Sequence, residues 1–314
     1  MSSVHLATFA TPDMTRARDL CIESALLHGV EKAWGWDEHS LGAVGRLNGI
    51  TFEPGTRGYS FWKWKPLIIL KTMEPSGYFF REPAQDGDIV CYMDAGVETV
   101  NNLRYVVDRM DQDIWLYGNE WPHYMWCKRD IVEAVWPAQI DHQSFLDAAI
   151  AMSTPSNIVG IDSDSLTWQR FGNQVQASVI FLRVNDRTRA FVKEWLDWCL
   201  TGARIGAAVS FGKDNAEHRD EQITWSEFRY LIDDSPSVFP NHPEFRENRH
   251  DQAILTTLAY RDGIKLHPWN VKYLTFEPAR REGYPEDAEI PCLYLHHRLR
   301  DDSWHEYESR TQCL

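Results

Sequence analysis

The stretch "DGDIVCYMDAG", Asp86 to Gly96, decides the class of this fold. A turn leads into a short apolar run, so Asp88 to Met93 is predicted to be a buried strand. The run ends in an acid followed by a small residue and a glycine. Open α/β sheets bind their ligands outside the carboxyl ends of the strands. The strand therefore delivers Asp94 to the edge where a ligand sits, and Gly96 permits close backbone approach there. A carboxylate at that edge suits a ribose hydroxyl or a divalent metal bridging phosphates. Capping of the next turn by Asp94 is the competing reading.

Outward from this strand, helices and strands alternate. "VHLATFA", Val4 to Ala10, reads as a buried strand. "TPDMTRARDLCIESALLHG" reads as a helix with Thr11 as N-cap, Pro12 at the first position and Gly29 as the stop. "IWLYGN" and "QASVIFLRV" read as strands, and "KRDIVEAV" and "HQSFLDAAIAM" as helices. "DRTRAFVKEWLDWCL" predicts an amphipathic helix capped by Asp186, and "DQAILTTLAYRDG" a helix closed by Gly263. "IKLHPW" and "PCLYLHHR" supply late strands. The alternation places the chain in the α/β class. No repeat or Ser/Gly linker divides it, and the polar stretch from Gly202 to Asn248 reads as a long surface insertion, a lid or an acceptor loop.

Bulk composition narrows the function. The 314 residues are 43% hydrophobic with a formal charge of −14, which suits a globular protein and argues against a broad nucleic-acid-binding surface. The six cysteines are scattered without a C-x-x-C pair, the pattern of reduced thiols in a cytoplasmic protein. No run has the ~18 apolar residues of a membrane span, and "MSSVHLATFA" is no signal peptide. Fourteen tryptophans supply core and, where exposed, platforms for sugars or bases.

Four constellations carry chemistry. Asp94 with Ala95 and Gly96 is one. "RGYSFWKWKP", Arg57 to Pro66, crowds rings and charge ahead of a helix start, where anions are stabilised. Arg57 and Lys65 are placed to neutralise a diphosphate, and Tyr59, Trp62 and Trp64 to stack on a base or sugar, against the alternative of a solvated basic face over core tryptophans. "ENRHDQAIL" puts His250, Asp251 and Gln252 at a helix start, where Asp251 is either an N-cap or part of a site. "YLHHRLRDD" ends a strand in His296, His297 and Arg298, a possible metal ligand and phosphate clamp or a structural pair. "GIDSDSL", with Asp162 and Asp164, reads as a turn. "WPHYMWCKRD" reads as core packing, with contact to an acceptor sugar as the alternative.

In this order the motifs "RGYSFWKWKP", "CYMDAG", "MWCKRD", "RHDQAIL" and "HHR" resemble those of GT-A type glycosyltransferases, within them a group of bacterial and viral sugar transferases. They span Arg57 to Arg298. The resemblance implies one GT-A nucleotide-sandwich domain over 1–314, with a donor half over about 1–110 and an acceptor half over about 111–314 whose end returns to the donor site. It implies a nucleotide-diphosphate sugar donor, with a UDP-sugar expected, and a glycan or other hydroxyl acceptor. Thr8, Phe9 and Ala10 would lie against the base. Arg57, Tyr59, Trp62, Lys65, Asp94, Ala95, Gly96 and Arg298 would complete the donor site. Asp94 stands in the first place of the family's D-x-D metal motif and Gly96 in the second acid's place, a departure that Glu98, two residues on, is positioned to offset. One Mn2+ or Mg2+ on Asp94 and His297 is implied.

The chemistry to be served is cleavage of the bond between an anomeric carbon and a diphosphate. It needs neutralisation of the leaving group and exclusion of water. Under inversion, Asp251 is the candidate base for the acceptor hydroxyl; under retention, Gln252 lines the reacting sugar. A carbohydrate-binding module and a metal-dependent phosphoester hydrolase are the competing functions. The first leaves the acid at the strand end unused, and the second the aromatic run.

Overall fold

A computed structural model describes residues 2–74, 82–136, 171–201, 231–237, 241–269, 271–273 and 291–297, the 271–273 segment by its backbone. Strand β1 (Val4–Phe9) is buried throughout and lies parallel to both β2 (Lys32–Trp36) and β3 (Ile89–Met93). Between β1 and β2 run a single 3-10 turn at Pro12–Met14 and helix α1 (Thr15–Leu27). Pro12 thus opens the turn, and the α-helix proper begins later than expected. Helix α2 (Glu38–Leu47) follows β2, capped by Asp37 through the Ser40 amide. Helix α3 (Trp64–Met73) leads to β3, then β4 (Val97–Thr99), the short α4 (Arg104–Val107) and β5 (Ile114–Pro122).

Past β5 come α5 (Arg129–Val135), β6 (Asn173–Arg183), α6 (Asp186–Leu200), α7 (His250–Arg261), β7 (Leu266–Pro268), β8 (Val271–Tyr273) and β9 (Tyr294–His296). Helix α6 is capped by Asn185, whose side chain accepts from the Thr188 amide. Asp186, the expected cap, is the first helical residue. Asn185 takes the role because its backbone is extended there, which lets the side chain reach back to the third amide of the helix.

The main sheet has the order β2-β1-β3-β6-β5-β7, with β6 antiparallel to its neighbours β3 and β5. A second sheet joins β4, β9 and β8. This is the α/β class expected, a mixed central sheet flanked by helices. The two faces carry separate cores. Ile89, Cys91 and Met93 pack with α1 residues Cys21 and Ala25, while Val90 and Tyr92 pack with residues of α3, α6 and α7. A buried strand with apolar side chains on both faces was the reading of residues 88–93, and the two cores are its physical basis.

Among the described residues no helix is long and apolar enough to cross a membrane, and the five described cysteines are free thiols. The helix expected over "HQSFLDAAIAM", the turn at Asp162 and Asp164, most of the insertion from Gly202 to Asn248, and Arg298 lie outside the described residues.

Candidate active site

A cleft of about 880 Å³ opens at the carboxyl ends of β1 and β3. Its floor is a charged triad. Lys65 enters from the second position of α3 with its side chain 4% exposed, and its ammonium lies 3.3 Å from Asp94 Oδ1 and 3.4 Å from Asp251 Oδ2. It also donates to the Ala177 carbonyl at 3.0 Å. The Ala177 carbonyl takes one of the ammonium's three N–H donors, and the two carboxylates are held as ion pairs. Burial opposes the charge on Lys65, but Asp251 and Asp94 outweigh it and raise its pKa. Lys65 was expected to meet a diphosphate; in this structure it ties two carboxylates together.

The carboxylates differ. The Asp94 side chain is 32% exposed, and its Oδ1 also accepts from the phenol of the buried Tyr92. Asp251, at the second position of α7, has a side chain 3% exposed. Burial pushes its carboxyl up to about 7, against Lys65 and with help from Asp94. Its Oδ2 makes no hydrogen bond beyond the ion pair. The N-cap of α7 is Arg249, so the capping alternative for Asp251 falls away. Gln252 lines the same cleft and donates to Gln174 Oε1 at 2.7 Å.

One wall is built from "RGYSFW". Gly58, Tyr59, Ser60, Phe61 and Trp62 all have positive φ, between 51° and 71°. A left-handed turn of this length costs about 1–2 kcal/mol per non-glycine residue. Ser60 holds it: its amide donates to Thr56 Oγ1 at 2.7 Å and its Oγ accepts from the Glu53 amide at 2.5 Å. Trp64 Nε1 donates to the Gly58 carbonyl at 3.0 Å. A Cβ on Gly58 would lie 2.3 Å from the Trp62 ring, so only glycine fits. The turn presents Tyr59 and Trp62 to the cleft beside Phe9 and Trp64, whose rings lie 4.3 Å apart between centroids and are tilted by 43°. Trp64 is 4% exposed and is core as much as wall.

The turn leans on the start of α7. Trp62 stacks on the His250 ring at 5.4 Å. His250 itself has φ 53°, and its Nδ1 meets the Ile232 carbonyl at 2.6 Å. Burial lowers its pKa. Arg57, at the rim, is shared between Glu247 at 3.3 Å and Asp234 at 3.8 Å.

The remaining expected residues fall as follows. Phe9, Ala10, Ala95 and Gly96 line the cleft. Thr8 does not: strand alternation turns it to the other face, where it is fully buried near Cys21. His297 is buried, its amide donating to the Gly96 carbonyl at 2.9 Å, and burial lowers its pKa to about 4. The cleft wall takes His296 from this strand instead. Glu98 does not line the cleft. Among the described residues no three His, Cys, Asp or Glu side chains gather to hold a metal. Asp94 lines the cleft and the buried His297 does not, so Asp94 is the protein ligand that a Mg2+ or Mn2+ ion would meet there, with phosphates and waters filling the other positions.

Sequence reasoning missed Gln176, Ser178 and Arg249, all in the cleft wall. Gln176 and Ser178 alternate at the start of β6, next to the apolar run "VIFL". Two polar side chains on one face of a central strand are the signal that would have found them. Arg249 stands in the "RHDQ" run but was given no role, since its place depends on how the chain enters α7.

No protein-family model matches the chain, and no curated protein matches it. Among solved structures it is similar to mouse xyloside xylosyltransferase 1, at 11% identity and a TM-score of 0.40 over 94% of this chain and 98% of that one. It is similar to a glycosyltransferase involved in the glycosylation of the major capsid of PBCV-1, at 10% identity and TM-score 0.42 over 97% and 99%. The galactosyltransferase LgtC, solved with donor and acceptor sugar analogs, matches at 13% identity and TM-score 0.40 over 94% and 87%. At these identities no side chain of the site is equated with one of theirs.

Proposed function

We propose that the cleft transfers a sugar from a nucleotide-diphosphate donor, a UDP-sugar, to a hydroxyl acceptor. The observation that carries the reading is the buried Asp251 Oδ2 in the cleft floor, with no hydrogen bond beyond its ion pair to Lys65. Buried acceptors are normally satisfied, and an incoming hydroxyl supplies the missing donor. A carboxyl poised near neutral pH is suited to take that hydroxyl's proton. Lys65 keeps Asp251 in place and lowers the cost of its charge. Phe9, Tyr59 and Trp62 offer ring faces for the base and sugar, and Gly96 leaves room for the diphosphate.

With both acids ionised the floor carries two negative charges against one positive. Asp94 would hold a Mn2+ or Mg2+ ion together with the donor's phosphates, and that ion would supply charge to the departing diphosphate. Its loss on chelation should abolish turnover and weaken UDP binding. Tyr92 and Lys65 fix the Asp94 carboxylate in either case.

A panel of nucleotide-sugars with manganese tests the reading. Release of UDP from a UDP-sugar is expected, slow without an acceptor. Binding without release would indicate a carbohydrate-binding module, and release of UMP or inorganic phosphate a hydrolase.

A further inference from the structure

Four large apolar side chains stand exposed among the described residues: Leu26, Leu27, Leu47 and Trp121. Trp121 is 39% exposed and lies against a residue of the cleft. We infer that Trp121 and Arg249 form the acceptor subsite, a platform for one pyranose ring of a glycan. The inference rests on the transferase reading and names the class of its acceptor.

The backbone puts Trp121 there by a break in the sheet. On β5 and β6, Gly118 pairs with Val175 and Pro122 with Asn173. Asn119, Glu120 and Trp121 therefore face the single residue Gln174. An insertion of this kind bends the strand and re-aims its side chains. The Asn119 side chain accepts from the Trp121 amide at 2.9 Å and closes the loop. Core packing accounts for the neighbouring Trp126, which is 5% exposed. It does not account for Trp121, whose ring meets Trp126 at 4.4 Å, tilted by 53°, and stays partly in solvent.

The same break connects the platform to the floor. The Arg249 guanidinium sits 4.4 Å from the Trp126 ring centroid and 5.9 Å from that of Trp121, while Arg249 also lines the cleft. Gln174 donates to the Trp126 carbonyl at 3.3 Å and accepts from Gln252 at 2.7 Å. Gln252 is the next residue after the proposed base. A chain of contacts thus runs from Trp121 to Asp251.

The chemistry selects a sugar. An indole offers a broad apolar face with its polar atom at the rim. A pyranose turns the C–H bonds of one face toward such a surface and keeps its hydroxyls at the edge, within reach of guanidinium N–H donors. The rings suited to a nucleobase, Phe9, Tyr59 and Trp62, come from β1 and the left-handed turn, elements other than β5.

The test uses the full chain and methyl β-D-galactopyranoside, methyl β-D-glucopyranoside and methyl α-D-mannopyranoside, with saturation-transfer NMR for sugar contact and calorimetry for UDP. At least one glycoside should receive saturation on its ring C–H protons. Trp121→Ala should weaken that binding about tenfold, Trp121→Phe should restore part of it, and UDP affinity should stay unchanged in both. No contact with any of the three glycosides, or equal contact in Trp121→Ala, overturns the acceptor subsite. Glycoside binding by a protein that does not bind UDP overturns the transferase reading and leaves a sugar-stacking site.

Discussion

The end of β3 and the start of α7 each hold one carboxylate against the same ammonium, and they hold it differently. Asp94 is open to the cleft and doubly anchored, by Tyr92 and Lys65. Asp251 is closed off, with Lys65 alone on its Oδ2 and its pKa raised to about 7. One residue type beside one cation thus yields two functions. The exposed, anchored acid is suited to hold a ligand that stays in place. The buried, under-satisfied acid is suited to exchange a proton, because burial brings its two protonation states close in energy.

The sharpest way to break this contrast is Asp251→Asn. With Asp251 as the base, turnover should fall about 10²–10⁴-fold, with UDP affinity within a few-fold of wild type. In the wild-type enzyme kcat/KM should rise with pH through about 7, because the deprotonated form is active; the variant should lack that limb. Stability should move the other way. A folded pKa of about 7 lies above the unfolded value near 3.9, so this group's contribution is fully present at pH 4 and is lost as pH climbs through 7. Urea midpoints should show the Asn variant gaining on wild type over that interval. Wild-type turnover in the variant would end the assignment.

Lys65→Met removes the shared partner. Two acids then face the cleft without a cation, and breaking a buried pair in this way costs about 3–5 kcal/mol. The loss should be greater at pH 8 than at pH 5, where Asp251 takes up a proton. Equal denaturation midpoints for variant and wild type at pH 8 would show that the triad is not what holds α3 to α7.

Gly58→Ala acts on one side of the comparison. It strains the left-handed turn, whose Trp62 stacks on His250 at the start of α7. The expected destabilisation is about 1–3 kcal/mol. Turnover should drop more than Asp94-side ligand binding, a split visible in kcat against UDP affinity. A variant as stable as wild type would mean the turn relaxes freely.

Tyr92→Phe acts on the other side and is the mildest change. It deletes one hydrogen bond to Asp94, a contribution of about 0.5–1.5 kcal/mol. UDP affinity should weaken by up to about tenfold while the pH limb of kcat/KM stays in place. A shift of that limb would instead show that the two acids titrate together.

Much of this was written in local sequence. The apolar run at residues 89–93, entered by a turn and ended by an acid and a glycine, read as a buried strand that carries its acid to the sheet edge. The left-handed turn at "GYSFW" was not foreseen. The density of polar groups in "RHDQ" marked a site at a helix start. Periodicity and turn chemistry act over a few residues, so a single sequence carries them in full.

Tertiary structure decided the rest, and Lys65 shows why. Its neighbours in sequence suggest a phosphate ligand at a helix start. Its neighbours in space are Asp94 from β3, Asp251 from α7 and the Ala177 carbonyl from β6, residues up to 186 positions away along the chain. The charge state of a buried group depends on what surrounds it, and the surroundings come from non-local packing. The same holds for Trp121, exposed by a register break that only the pairing of β5 with β6 creates. The sequence by itself determined which residues carry the acids, cations and rings that a ligand site needs; the packing determined which oxygens remain for a ligand to meet.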